Sequence, residues 1–409
     1  MREDAGQPAR RRPGRGRHAR PVSEAVETVR TSLWRSRGMQ ALIGVTFLGF
    51  ASYCLTLASL PVYAVQGGAE ESTAGVVTAV FLVSTILVQA TVPALTARFG
   101  VGPVLVVGLV AMGVPSPLYV LDDGVAWISA LSAVRGAGFA VLTVLGATLS
   151  AQVAPPERRG ESIGLYGLAI AVPNMIAVPG GVALVLGDSV AALSWLGASP
   201  LLGIPLVPLL MREVGPQPEA GAAGTNRAAV LAAVAPSLVL FAVTLAGGGV
   251  VTFLPIERPD GALATTALLL FGATGAVSRW RAGMLADRLG VRLLLPLAVV
   301  LAAGGLVAVA AGLVAGDAWV LVGAAVFGAG FGAVQNLTLL SSFTRAGESG
   351  TTAASAMWNA SFDAGTATGA LALGVLAAGI GLDWTYVVVA AGLAALLPVA
   401  ASAARPSRG

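Results

Sequence analysis

Long apolar stretches alternate with short polar ones along almost the whole of this chain. Twelve stretches stand out, at about 39–65, 74–97, 104–121, 125–153, 163–187, 190–211, 229–256, 262–284, 291–314, 319–344, 351–380 and 384–403. Each is long enough to cross a bilayer, which takes a helix of roughly 20 apolar residues. Short polar links such as Gln66–Thr73, Asp122-Asp123-Gly124 and Gly381-Leu382-Asp383 join them. The longest interruption between spans, Arg212–Arg227, separates six spans from six. The pattern predicts an all-α membrane protein with one half over residues 39–211, a cytoplasmic linker over 212–228 and a second half over 229–403. Tails precede and follow them, at 1–38 and 404–409.

Composition agrees with lipid as the main solvent. Hydrophobic residues make up 56% of the chain and charged residues 11%, with a mean hydropathy of +0.84. Soluble domains carry about 25% charged residues. The net charge of +4 raises the question of a polyanionic partner, but its distribution answers it. Every cationic side chain among the 24 Lys and Arg is an arginine, and ten of them precede residue 38. That tail is rich in Pro and Gly and lacks apolar periodicity, so it is expected to be disordered and cytosolic. No folded motif accompanies its charge and Trp34, at the end next to the first span, is its one Phe, Trp or Tyr, which argues against nucleic acid as the expected partner. Nor is it a signal peptide, since the first apolar run starts near Met39.

With the N-terminus in the cytoplasm, Arg98, Arg158, Arg159, Arg212, Arg227, Arg279, Arg281, Arg288, Arg292, Arg345, Arg405 and Arg408 all fall at or near cytoplasmic ends. Arg258 faces outward, and Arg135 alone is deep in a span. Glu70, Glu71, Asp122, Asp123, Asp188, Asp317 and Asp383 fall in outer loops. This is the positive-inside bias. It predicts a multi-pass protein of the plasma or inner membrane with both termini cytoplasmic. Trp34, Trp127, Trp280, Trp319 and Trp384 sit near expected helix ends, as interfacial aromatics do.

The two halves repeat. Ala133-Val134-Arg135-Gly136-Ala137-Gly138-Phe139 in the fourth span matches Ala325-Val326-Phe327-Gly328-Ala329-Gly330-Phe331 in the tenth. Leu60-Pro61-Val62 matches Leu254-Pro255-Ile256. Leu95, Arg98, Gly100 and Val101 match Leu285, Arg288, Gly290 and Val291. Gly-Glu-Ser recurs at 160–162 and 347–349. All the matches keep the same order with nearly the same offset, as an internal duplication requires. Parallel repeats around a central cavity are a transporter architecture.

The segment Gly283-Met284-Leu285-Ala286-Asp287-Arg288-Leu289-Gly290-Val291-Arg292 resembles the G-x-L-a-D-R-x-G-x-R loop of the major facilitator superfamily. The resemblance implies twelve transmembrane helices in two pseudo-symmetric six-helix bundles, and secondary transport by alternating access. It also implies a cytoplasmic gating loop of Gly283, Asp287, Arg288, Gly290 and Arg292, working with Arg98, Arg158 and Arg159. Asp287 is expected near a helix N-terminus or paired with Arg158 or Arg159. The first-half copy departs from the pattern, with Pro93 for the first Gly and Ala97 for the Asp. Arg135 with Gly136 and Gly138 resembles the span-four arginine motif of family antiporters. Pro179-Gly180-Gly181 resembles a shortened exporter motif. Pro155-Pro156-Glu157-Arg158-Arg159-Gly160 resembles bacterial efflux-type members.

An ionisable group in hydrocarbon costs about 2.5–3.5 kcal/mol on insertion scales, so each needs a reason. Arg135 and Asp363 are the two expected near the midplane. They are expected to pair directly or through substrate or water, with Asp363 as the proton-coupling carboxylate. Asn359, Trp358, Asn174, Gln335, Asn336, Gln89 and Tyr53 are candidates for lining a substrate cavity, the amides equally for bonding to neighbouring helices. The one histidine, His18, lies in the tail, and there is no Lys for a phosphate-binding loop. The reading is therefore a transporter and not an enzyme, without cofactor or metal, acting as a monomer in membrane lipid on a small-molecule substrate with protons as partners. A proton-coupled exporter of a small, fairly apolar compound leads. An importer of the same fold, and a transport-inactive sensor, are the alternatives.

Overall fold

The computed structural model describes Met1 and residues 33–57, 59–69, 71–214, 226–257 and 261–404. The arginine-rich tail before Leu33, most of the linker, Glu70, Arg258, Arg405 and Arg408 lie outside the described residues.

Helices account for every span. Span one is α1 (Arg37–Leu57) with α2 (Ser59–Gln66), and span two is α3 (Glu71–Gln89) with α4 (Val92–Phe99). Span three is α5 (Val101–Gly113) with the 3-10 turn Ser116–Leu121. Spans four and five are α6 (Val125–Gln152) and α7 (Arg159–Leu186). Span six is α8 (Val190–Leu196), the 3-10 turn Ser199–Gly203 and α9 (Leu206–Val214). The second half follows as α10 (Asn226–Glu257), α11 (Gly261–Leu289), α12 (Val291–Ala315), α13 (Asp317–Ala346) and α14 (Thr351–Ile380). It ends with α15 (Leu382–Ala395) and α16 (Leu397–Ala403), which form span twelve.

Among the described residues nine stretches are long and apolar enough to cross a membrane, and two bent pairs raise the number to eleven. The remaining element, α11, has the length at 29 residues but is more polar, with Thr266, Thr274, Ser278, Arg279 and Arg281 along it. The bends have local causes. Span two turns by 52° between α3 and α4, where Pro93 lies in the first turn of α4. Span twelve turns by 42° at Leu396, followed by Pro398. Proline cannot donate to the helical ladder and crowds the preceding turn.

The duplication is visible in the packing, down to single atoms. A side chain at Gly136 would meet the backbone carbonyl of Phe81, and one at Gly328 would meet that of Phe271. A side chain at Gly138 would meet the carbonyl of Gly108, and one at Gly330 that of Ala298. Ser84 Oγ donates to the Ala133 carbonyl at 2.6 Å, and Thr274 Oγ1 to the Ala325 carbonyl at 2.8 Å. The repeated Gly-Ala-Gly therefore lets spans four and ten press onto spans two and three, and eight and nine. The loops after spans two and eight turn at Gly100 (φ 82°) and Gly290 (φ 79°), a left-handed conformation that favours glycine.

The start of α1 packs beside Val153 and Glu213, and Ser341 bonds to the carbonyl of Ala403 near the end of α16. Those ends share one face with Arg98, Arg158, Arg159, Arg288, Arg292 and Arg345, here called the arginine face. Asp122, Asp123, Asp188, Asp317 and Asp383 begin or end spans on the opposite face. The halves meet where α7 packs on α11 and where α14 packs on α3, α4 and α6.

Candidate functional site

The joint between spans five and eight is built on small residues. Gly160, Gly164 and Gly167 recur at helical spacing on one face of α7. They lie against Gly283, the backbone of Trp280 and the guanidinium of Arg279, respectively. Gly160 and Gly283 approach so closely that a side chain on either would strike the other's backbone carbonyl. Next to this contact Asp287 accepts hydrogen bonds from the backbone N–H of Gly160 and of Glu161, each at 2.9 Å. These are first-turn N–H groups of α7, which have no intrahelical partner and sit at the positive end of the helix dipole. Burial pushes the Asp287 carboxyl above its ordinary pKa, against the pull of those two N–H groups. Asn336 Nδ2 donates to the Gly160 carbonyl at 3.2 Å, closing the same corner from span ten. Arg158 pairs with Glu161 at 2.8 Å, and Arg159 pairs across the halves with Glu348 at 3.2 Å. Asp287 thus takes the helix N-terminus, one of its expected settings, with Arg158 near enough for its charge to favour the carboxylate.

The joint between spans two and eleven is polar in its own way. Gln89, in the last turn of α3 before the bend, donates to Asp363 Oδ2 at 2.9 Å. Its amide also lies 3.5 Å from Thr143 Oγ1. Thr143 is a hub, since its carbonyl accepts from Tyr166 Oη and from Asn359 Nδ2, each at 3.4 Å. Ser355 Oγ donates to the Val144 carbonyl at 2.7 Å. Asp363 is half-buried, whereas Gln89, Thr143, Ser355 and Asn359 are buried.

These hydrogen bonds between the halves lie at Asp363 or on its arginine-face side. Residues Ser162 to Gly167 of α7 are buried all round, while Asn174, Met175 and Ile176 further along are exposed. On α14, Ala353 to Ala356 are buried, and Val375 is 79% exposed. The halves are sealed together on the arginine face and diverge towards the other.

The expected pair between Arg135 and Asp363 is not formed in this structure. Arg135 is fully buried inside its own half. It donates to Ser52 Oγ (2.8 Å), the Ser52 carbonyl (3.2 Å), Thr56 Oγ1 (3.2 Å) and Ser116 Oγ (3.1 Å). Its guanidinium lies 5.4 Å from the ring centre of Tyr119. Sequence gives the depth of a residue in its span but not the side it faces, and Arg135 faces spans one and three. A second expectation is also corrected. Arg279 and Trp280 do not mark a helix end, because α11 continues to Leu289. Arg279 is buried within the seam, where Nη1 donates to Gln335 Oε1 at 2.8 Å.

The cavity candidates divide. Gln89, Asn359, Gln335 and Asn336 are all drawn into the seam. Tyr53 stacks on Phe139 at 4.2 Å and on Phe81 at 5.4 Å between centroids. Trp358 is buried, donates to Thr338 Oγ1 at 3.0 Å and stacks on Phe362. Asn174 is exposed on the diverging part of α7, away from this cluster. Thr143, Tyr166, Ser355 and Arg279 belong to the site but escape the sequence reading. The one signal for them was the Gly160, Gly164, Gly167 spacing, which marks a face of α7 pressed against another helix.

Residues 41–356 match the family model described as Major Facilitator Superfamily. No curated protein matches the sequence significantly. Among solved structures, the human organic anion transporter MFSD10 (TETRAN) superposes with a TM-score of 0.73 at 16% identity, covering 89% of this chain and 99% of that one. The E. coli fucose:proton symporter FucP superposes with a TM-score of 0.70 at 14% identity, covering 91% and 100%. The proton:xylose symporter XylE superposes with a TM-score of 0.65 at 15% identity, covering 89% and 94%. At these identities the likeness establishes the fold.

Proposed function

This chain belongs to the major facilitator superfamily, and from that premise we propose that it is a proton-coupled exporter of a small, largely apolar compound working by alternating access. The observation that carries the reading is Asp363. It is a half-buried carboxylate at the joint of spans two and eleven, on the diverging side of a sealed seam. The arginine face is taken as cytoplasmic by the positive-inside bias. Asp363 is then reached from outside while the inner side is shut.

The coupling follows from one hydrogen bond. Ionised Asp363 accepts a charge-assisted bond from Gln89 that holds the halves together. A proton arriving from outside weakens that bond, and the seam becomes easier to open inward. Release of the proton to the cytoplasm with substrate bound restores the bond and returns the protein to the outward-facing state. Arg135, fixed within its own half, orients spans one, three and four and takes no part in the exchange. Gly283, Asp287, Arg288, Gly290 and Arg292 form the gating loop, with Arg98, Arg158 and Arg159 beside it. Transport runs in a monomer of the plasma or inner membrane with both chain ends cytoplasmic.

The expected result is proton-driven accumulation of toxic apolar compounds in inverted vesicles, lost in Asp363→Asn while the protein is still made and inserted. Coupled transport at full rate in Asp363→Asn would overturn the role of Asp363. The second reading is import. It draws support from FucP and XylE, which are proton symporters of sugars by their descriptions. Uptake confined to whole cells, with no accumulation in inverted vesicles, would establish it.

A further inference from the structure

Among the described residues two arginines are buried, and they are housed very differently. Arg135 has four hydrogen-bonded partners' atoms and an aromatic face within one half, as a permanent structural cation would. Arg279 is 8% exposed and stands between the halves. Its Nη1 donates to the neutral amide of Gln335, its Nε has no hydrogen-bond partner, and no carboxylate lies within salt-bridge distance of it among the described residues. Across the seam it meets Gly167, which offers backbone and no side chain.

The duplication sharpens the anomaly. Gln89 bonds to Thr143 between spans two and four, and Arg279 bonds to Gln335 between spans eight and ten, at matching positions of the repeat. Gln89 finds a carboxylate on the facing half. Arg279, which carries the full charge, finds none. A guanidinium held in hydrocarbon without a counter-charge is costly. When the halves part on the arginine face, Gly167 withdraws and this cation is presented to the opened path.

An apolar wall adjoins it. Phe331 lies one turn before Gln335 on α13 and sits 5.1 Å from Phe271 and 6.4 Å from Phe362 between ring centres. Phe331 and Phe362 are both partly exposed. We propose that Arg279 is the anion-binding group of the transport path, taking the carboxylate or sulfonate head of an amphipathic organic anion whose apolar body lies against Phe331 and Phe362. The inference rests on the alternating-access reading and names the substrate class within it. A fairly apolar body with one charged head is compatible with residues 39–65 and 229–256 of spans one and seven, which carry no charged side chain.

The test needs no known substrate. Thr143→Cys in a Cys54→Ala background puts one thiol in the seam, linked through Tyr166 to the neighbourhood of Arg279. In proteoliposomes it is labelled with an anionic methanethiosulfonate (the ethylsulfonate) or a cationic one (the ethyltrimethylammonium). Arg279 is expected to favour the anionic reagent by on the order of tenfold, the scale of one nearby charge at intermediate dielectric. The preference is expected to vanish in Arg279→Gln and to return in Arg279→Lys, which separates charge from folding damage. A rate ratio unmoved by Arg279→Gln would overturn the site, since Asp363, bonded to Gln89 beside Thr143, weighs on both backgrounds alike. Sodium benzoate is expected to slow anionic labelling beyond any effect of equimolar sodium chloride. Protection no greater than that of chloride would overturn the organic head group and leave at most an inorganic-anion site. Failure of both reagents, with the thiol titratable after denaturation, would overturn alternating access itself.

Discussion

The fourth and tenth spans share one frame, Ala-Val-x-Gly-Ala-Gly-Phe, and differ at the third position. Arg135 in the first half meets hydroxyls from Ser52, Thr56 and Ser116. Phe327 in the second half is fully buried and stacked 5.5 Å from Phe271 at an interplanar angle of 14°. The backbone contacts on either side, through Gly136 and Gly138 or Gly328 and Gly330, are the same in both. The glycines thus keep the helix pairing, and the position between them is left to take whatever its bundle supplies. The seam repeats the lesson. Spans two and eleven bring together an amide and a carboxylate, while spans eight and five bring together a guanidinium and a bare backbone.

Exchanging the third positions gives the largest expected effect, and it is unequal. Phe327→Arg places a charge among Phe271, Phe331 and neighbouring apolar groups with no partner in reach, and loss of folded protein is expected. Arg135→Phe removes a cation whose partners keep other acceptors. Ser52 Oγ also donates to the Gly197 carbonyl and Thr56 Oγ1 to the Ser52 carbonyl. Its cost is expected at about 1–3 kcal/mol, the scale of a few orphaned buried groups. Size-exclusion profiles and melting temperatures in detergent rank the two. Equal damage would show that the two positions are not filled to suit their bundles.

Most of the fold was legible in the sequence because apolar runs, arginine placement and turn glycines report on single helices. The Gly-Ala-Gly segments that mark the duplication coincide with tight helix contacts in both halves. The site was legible only in part. Asp363, Gln89 and Asn359 stand out because polar side chains are conspicuous in lipid; Gln89 meets Asp363, and Thr143 joins Gln89 to Asn359. Arg135 and Asp363 make no direct contact here, because depth along a helix says nothing about which neighbour a side chain faces. Arg279 was missed for a simpler reason. The sequence reads its span as ending at about residue 284, which puts Arg279 near the interface, whereas it lies ten positions from the end of α11, roughly 15 Å.

The gating loops differ as the spans do. The loop after span eight has Asp287, on the first-turn N–H groups of α7, whereas the corresponding position after span two is Ala97. Asp287→Asn keeps one acceptor and loses the charge at the helix terminus. A loss of about 1–2 kcal/mol from the sealed state is expected. It would be read as a severalfold to thirtyfold rise in labelling of Thr143→Cys. Unchanged labelling would mean that the Gly160–Gly283 contact alone holds this corner.

The smallest effect is expected at the ion pair nearest the arginine face. Arg159 and Glu348 bridge the halves at 3.2 Å, which makes them look like a latch equal to Asp287. Their setting differs. The Glu348 side chain is 76% exposed, so water and salt compete for it, and holding two long side chains in register costs entropy. Exposed pairs of this kind contribute about 0–1 kcal/mol. Glu348→Gln is therefore expected to raise Thr143→Cys labelling by less than about fivefold, and 0.5 M salt is expected to mimic it in the unsubstituted background. Salt should leave the Asp287 contact nearly untouched, because a half-buried carboxylate bonded to two backbone N–H groups is screened far less. A Glu348→Gln effect as large as that of Asp287→Asn would move the seat of closure from the glycine joint to the exposed rim.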